Sequence, residues 1–138
     1  MSCILRISGN DLDVDALLRD MSLSPCVIWR KGEVGILKHR GPHTGSGFNV
    51  EVSTARFPDL PGQVADAVVF LRTHRSDIQR AMSFPGVQDG RLDFAVSHED
   101  VAIDCKYLPL EFLKLASDLG LGVELSVYPW SPSDEGAA

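Results

Sequence analysis

A chain of 138 residues with 44% hydrophobic and 23% charged residues has the makeup of an ordinary soluble globular protein, long enough for a core without metal or disulfide staples. Its formal net charge of −6 opposes sequence-independent nucleic-acid binding, which needs a basic surface to displace counterions from phosphates. No apolar run approaches the roughly 20 residues of a membrane helix, and the opening MSCILRISGNDLD lacks the basic and long apolar parts of a secretory signal, so a cytoplasmic location is expected.

Along the chain, Cys3–Ser8 alternates Leu5 and Ile7 against Arg6 and Ser8, as a half-buried strand does. Asn10, Asp11 and Asp13 then supply cap candidates for a helix over Asp13–Met21, whose apolar positions Val14, Leu17, Leu18 and Met21 share one face. Ser24-Pro25 ends it. Cys26–Trp29 is a short extended run broken by Lys31-Gly32-Glu33, and Val34–Leu37 reads as a further strand. A glycine-rich loop, His39 to Gly47 with its glycines from Gly41 on, leads into a strand at Phe48–Val52.

The longest predicted helix starts at Leu60, with Pro61 suited to its first turn, and runs to about Ser83. Val64, Ala67, Val68, Leu71, Ile78 and Met82 keep helical spacing throughout, with Arg72, Arg75 and Arg80 on the polar side. Arg91–Ser97 and Val101–Cys105 read as a hairpin turning at His98-Glu99-Asp100. Pro109 opens a last helix carrying Phe112, Leu113, Ala116 and Leu119. Gly120 caps it, and Gly122–Tyr128 forms a closing strand. The acid-, serine- and proline-rich 131–138 reads as a disordered tail, so that residues 1–130 make one domain.

Strands that alternate are half-exposed, whereas strands of a parallel sheet covered on both faces are apolar throughout. The expected fold is therefore α+β: a mainly antiparallel sheet with about three helices packed on one face. Its open face would carry Arg6, Asn49, Glu51, Asp93, Asp104, Glu124 and Ser126.

The candidate chemistry divides readily. Gly41, Gly45 and Gly47 bring flexibility to their loop, but the GxxxxGK[ST] pattern of a phosphate loop is absent and no helix follows. His39 and His43 stand in the same loop without a third ligand at recognisable spacing, so no metal is expected. Ser97-His98-Glu99-Asp100 suits a polar turn, since catalytic triads are assembled from distant segments. Cys3, Cys26 and Cys105 are odd in number, lack CxxC spacing and sit in apolar or strand-like stretches, which predicts buried reduced thiols. Trp29, Arg30 and Lys31 combine an aromatic with two cations beside a glycine turn, the composition of a binding patch.

The segment ILRISGNDLDVDALLRDMSLSPCVIWRKGE, with Gly9, Asp11, Leu12, Asp13, Pro25, Lys31, Gly32 and Glu33, resembles an uncharacterised family of small bacterial domains of unknown function. The end, LPLEFLKLASDLGLGVELSVYP, is similar to that family's closing helix and strand. The resemblance names a domain and carries over no catalytic residues and no cofactor.

The leading expectation is a non-enzymatic interaction domain, immunity-like in one version, that binds a protein partner of basic character through Trp29, Arg30, Lys31, Glu51, Asp93, Asp104 and Glu124. A second reading is a small ligand-binding protein or enzyme built on the Gly41–Gly47 loop, with His39, His43, Arg72 and Arg75. A third is a homodimeric structural protein joined along a strand edge.

Overall fold

The computed structural model describes residues 2–129. The expected tail at 131–138 lies outside them.

Strand β1 (Cys3–Gly9) occupies the centre of a five-stranded sheet. Cys3, Leu5 and Ile7 are fully buried, and Arg6 and Ser8 face away from the core, as alternation requires. Beside β1 on one flank lies β3 (Ser46–Ser53), itself flanked by β2 (Pro25–Trp29); on the other flank lie β4 (Asp89–His98) and β5 (Gly122–Pro129). The order is thus β2-β3-β1-β4-β5. All neighbours are antiparallel except β4 and β5, which are parallel.

That parallel pair corrects the expected hairpin. Residues Val101–Cys105 form no strand; Val101 and Ile103 are exposed on the connection out of β4. The reason is competition for one place. β1 occupies one side of β4, and β5 fills the other with eight residues in continuous register, more than the five that Val101–Cys105 offers. A parallel neighbour requires a crossover, and helix α4 (Leu110–Asp118) supplies it. Val34–Leu37 likewise contributes no strand, only a single bridge from Val34 to Pro42, with a 3-10 turn at Lys38–Arg40. Gly35 interrupts its apolar run, and Ile36 points to solvent.

Helix α1 (Val14–Leu18) is shorter than its apolar spacing suggests. The Asp13 carboxylate caps it by accepting from the Ala16 N–H at 3.1 Å. The long predicted helix is two: α2 (Leu60–Thr73) and α3 (Arg75–Met82), divided at His74, where φ is −106° and ψ 21°. Thr73, His74 and Ser76 are weak helix formers, and the His74 ring rests on Phe70 with centroids 4.5 Å apart. The bend lets Asp77 of α3 reach back to the Ser22 hydroxyl, while Arg80 bonds its other oxygen at 2.9 Å.

The helices cover one face of the sheet, where Phe48, Phe94, Leu92 and Phe112 are fully buried and Phe94 meets Phe112 edge-to-face at 5.4 Å. Polar residues are buried as well, and Gln63 is the most deeply buried of those described. Gln63 of α2, fully buried, donates its amide to the Ala95 carbonyl at 2.8 Å and accepts from the Ala95 N–H at 3.2 Å. At the end of α4, Gly120 takes the left-handed conformation, φ +73°, that its position after the helix predicts. Among the described residues no helix is long and apolar enough to cross a membrane.

Candidate functional site

Strand register decides which polar side chains meet on the uncovered face. Arg6 lies level with Asn49 on one side and Arg91 on the other; Asp93 lies level with Glu124. From that position the Arg6 guanidinium reaches three strands, donating to Asn49 Oδ1 at 3.3 Å, Glu124 Oε2 at 3.4 Å and Asp93 Oδ2 at 3.4 Å. Arg91 donates to Asp89 Oδ2 at 2.6 Å and to the same Glu124 oxygen at 3.2 Å. The Asp89 bond, then the Glu124 bond, hold its guanidinium still more firmly protonated than usual. Ser126 donates its hydroxyl to Asp93 Oδ1 at 2.6 Å. Glu51 shares this face, level with Ile4. With Glu51, Asp89, Asp93 and Glu124 set against Arg6 and Arg91, the face is net acidic.

Trp29 stands at the corner of the same surface, and Gly47 explains how. The two residues are level on adjacent strands. A Cβ on Gly47 would lie 2.5 Å from Trp29 Cζ2 and 2.6 Å from the Ile7 carbonyl oxygen, so the indole lies where a side chain would otherwise stand. The last glycine of the loop therefore makes room for an aromatic ring. Beyond the ring opens a cleft of about 270 Å³ lined by Trp29, Ser8, Asn10, Thr44, Gln88 and Asp89. Trp29 and Asp89 thus border one space.

The remaining sequence candidates fall elsewhere. Arg30 forks onto Asp15 of α1 at 2.9 and 2.8 Å, and that hydrogen bond holds the Asp15 carboxyl below its ordinary range. Lys31 Nζ reaches Asp11 at 3.0 Å. These two cations tie the β2 end to the α1 region. Asp104, expected on the open face, sits on the β4–α4 connection and pairs with Lys106 at 2.9 Å, because its segment is not a strand. His39 lies in the 3-10 turn, and His43 exchanges backbone bonds with Gly32 and Glu33. Arg72 pairs with Glu111, and Arg75 opens α3. Arg72 borders a groove of about 570 Å³ between Leu60, Val64, Tyr107 and Pro109; neither histidine is in its walls.

Of the cysteines, Cys3 is buried and desolvation pushes its thiol well up, but Cys26 and Cys105 are exposed, correcting the expectation of three buried thiols. Cys26 lies on a sheet edge and Cys105 on an irregular connection. Among the described residues no group of His, Cys, Asp and Glu side chains is placed to hold a metal ion.

Asp89 and Arg91 join this face beyond the residues expected there, and Asp89, Arg91 and Asp93 alternate along one strand, the signal of a shared face. The strand begins at Asp89, two residues before the expected start at Arg91. No family profile, curated protein or solved structure matches the chain.

Proposed function

We propose that this chain is a non-enzymatic protein-interaction domain that receives a basic segment of a partner protein on the open face of its sheet, as an immunity protein would receive a toxin. In this reading its relatives are the small bacterial domains that its two ends resemble. The observation that carries the proposal is the meeting of Trp29 with the acidic face at the Asp89 cleft.

An arginine or lysine entering that cleft stacks on the indole and faces a carboxylate, a pairing worth about 1–2 kcal/mol when desolvated. Each carboxylate offers about four acceptor sites. Arg6 and Arg91 occupy only part of that capacity on Asp89, Asp93 and Glu124. The arginines also hold the carboxylates of β4 and β5 in place, so little side-chain freedom is lost on binding. An array of fixed charge suits recognition by complementarity.

The test is affinity capture from the native host with tagged wild-type chain and a Trp29→Ala/Asp89→Asn double variant. A basic protein retained by the wild type, released by salt and lost from the double variant is the expected result. A partner indifferent to both substitutions, or a bound metabolite in place of any partner, refutes the reading.

A further inference from the structure

Strand β5 ends the sheet with an open edge. Its eight residues stay in register with β4 from Gly122 to Pro129, and among the described residues no strand lies on its other side. Every second residue of such a strand turns its N–H and C=O outward, a template for another strand. Natural edges are usually blunted by lysines, bulges or internal prolines. β5 has no lysine and no bulge, and its proline stands at the last position. Its single charge, Glu124, is drawn back over the sheet by Arg6 and Arg91.

On the helix side the side chains along this edge are apolar. Val123, Leu125 and Val127 point to the helix side yet remain 36%, 38% and 60% exposed, because α4 packs Phe112 over Phe94 of β4. On α4 itself Leu110 and Leu113 are also exposed.

We propose that a second copy of this chain covers the edge, β5 pairing antiparallel with its mate across a two-fold axis normal to the sheet. Such an axis keeps the helices of both copies on one side of a continuous sheet. The register that sets Leu125 against Leu125 puts Val123 opposite Val127 and Glu124 opposite Ser126. The apolar row then meets its own copy, and each carboxylate meets a hydroxyl in place of a like charge, which is the self-complementarity a two-fold contact demands. Leu110 and Leu113 of both α4 helices face the same side of the join. This surface is separate from the Trp29 corner, and pairing leaves the open face free.

Size-exclusion chromatography with light scattering at about 100 µM full-length chain is expected to give twice the chain mass. Val127→Lys with Leu113→Lys, both at exposed positions, is expected to give a monomer with unchanged circular dichroism, while Val27→Lys on the β2 edge stays dimeric. In a Cys26→Ser/Cys105→Ser background, Leu125→Cys should cross-link two chains on mild oxidation and Val27→Cys should not, which keeps the test intact should the lysine variant unfold. A wild-type monomer overturns the proposal. A dimer insensitive to Val127→Lys, or lacking the Leu125→Cys cross-link, overturns it as well. None of these readouts depends on the Trp29→Ala/Asp89→Asn capture experiment.

Discussion

At the β2 margin the sheet ends in five residues that begin with a proline and slip register between Pro25 and Val27. At the β5 margin it ends in eight residues without a slip. The two are also secured differently. Polar contacts fasten the β2 side to the helices: Arg30 to Asp15, Lys31 to Asp11 and, just before the strand, Ser22 to Asp77. On the β5 side polar contacts run along the open face to β1 and β4, through Glu124 and Ser126, while the support from the helices is the apolar contact of α4 with β4 through Phe112. A margin guarded by geometry and charge discourages further pairing, whereas one backed by hydrophobic packing stays available for it.

The contrast breaks most severely at Phe112. Phe112→Ala removes a fully buried ring from beneath the crossover and is expected to lower unfolding stability by about 3–5 kcal/mol in urea titration. If the β5 margin is supported as described, its amides lose hydrogen-exchange protection before those of β2. Gly47→Ala comes next. A methyl group there collides with the Trp29 ring and the Ile7 carbonyl, so a loss of about 1–3 kcal/mol and a shift in indole fluorescence are expected. Partner capture should weaken in the same variant.

Asp77→Asn is expected to cost about 1–2 kcal/mol, because Ser22 and Arg80 both bond its charged form. Those contacts, Ser22 first, depress the folded-state pKa of Asp77 below the ordinary value of 3.8. The unfolded chain therefore takes up the proton more readily. The stabilisation is complete above the ordinary value and disappears as pH falls through the depressed one. Acid titration of wild type and Asp77→Asn should accordingly converge at low pH. The smallest effect belongs to Arg30→Ala, a small fall in Tm that shrinks as salt is raised, since both partners are exposed. Salt should leave the Phe112→Ala deficit nearly unchanged, which sharpens the difference between the two margins.

Much of this architecture is legible in residue alternation. Leu5 and Ile7, Phe48 and Val50, and Leu92 and Phe94 identify their strands and which side of each is buried, and hence the α+β arrangement with one open face. Alternation cannot say which strand lies beside which. Val101–Cys105 has the local pattern of a strand and loses its place to a segment more than twenty residues later, a contest decided by tertiary pairing. The break at His74 is similarly hidden, since apolar spacing runs through it; the bend becomes visible only once Asp77 has found Ser22. For the candidate site, Trp29, Glu51, Asp93 and Glu124 are readable as surface residues. Their union with Asp89 depends on a register that no single segment contains.

Gln63 carries a consequence for how singular this packing is. Apolar contacts between a helix and a sheet vary little in energy over small rotations, so a helix held by them alone samples several azimuths. A side-chain amide that must meet both the N–H and the carbonyl of Ala95 tolerates no such drift. It acts as an indexing pin for α2, fixing its roll against the sheet. With leucine in its place, α2 would still bury itself, but Val64, Ala67 and Leu71 would share the core in several arrangements, and sharp side-chain resonances would give way to averaged ones.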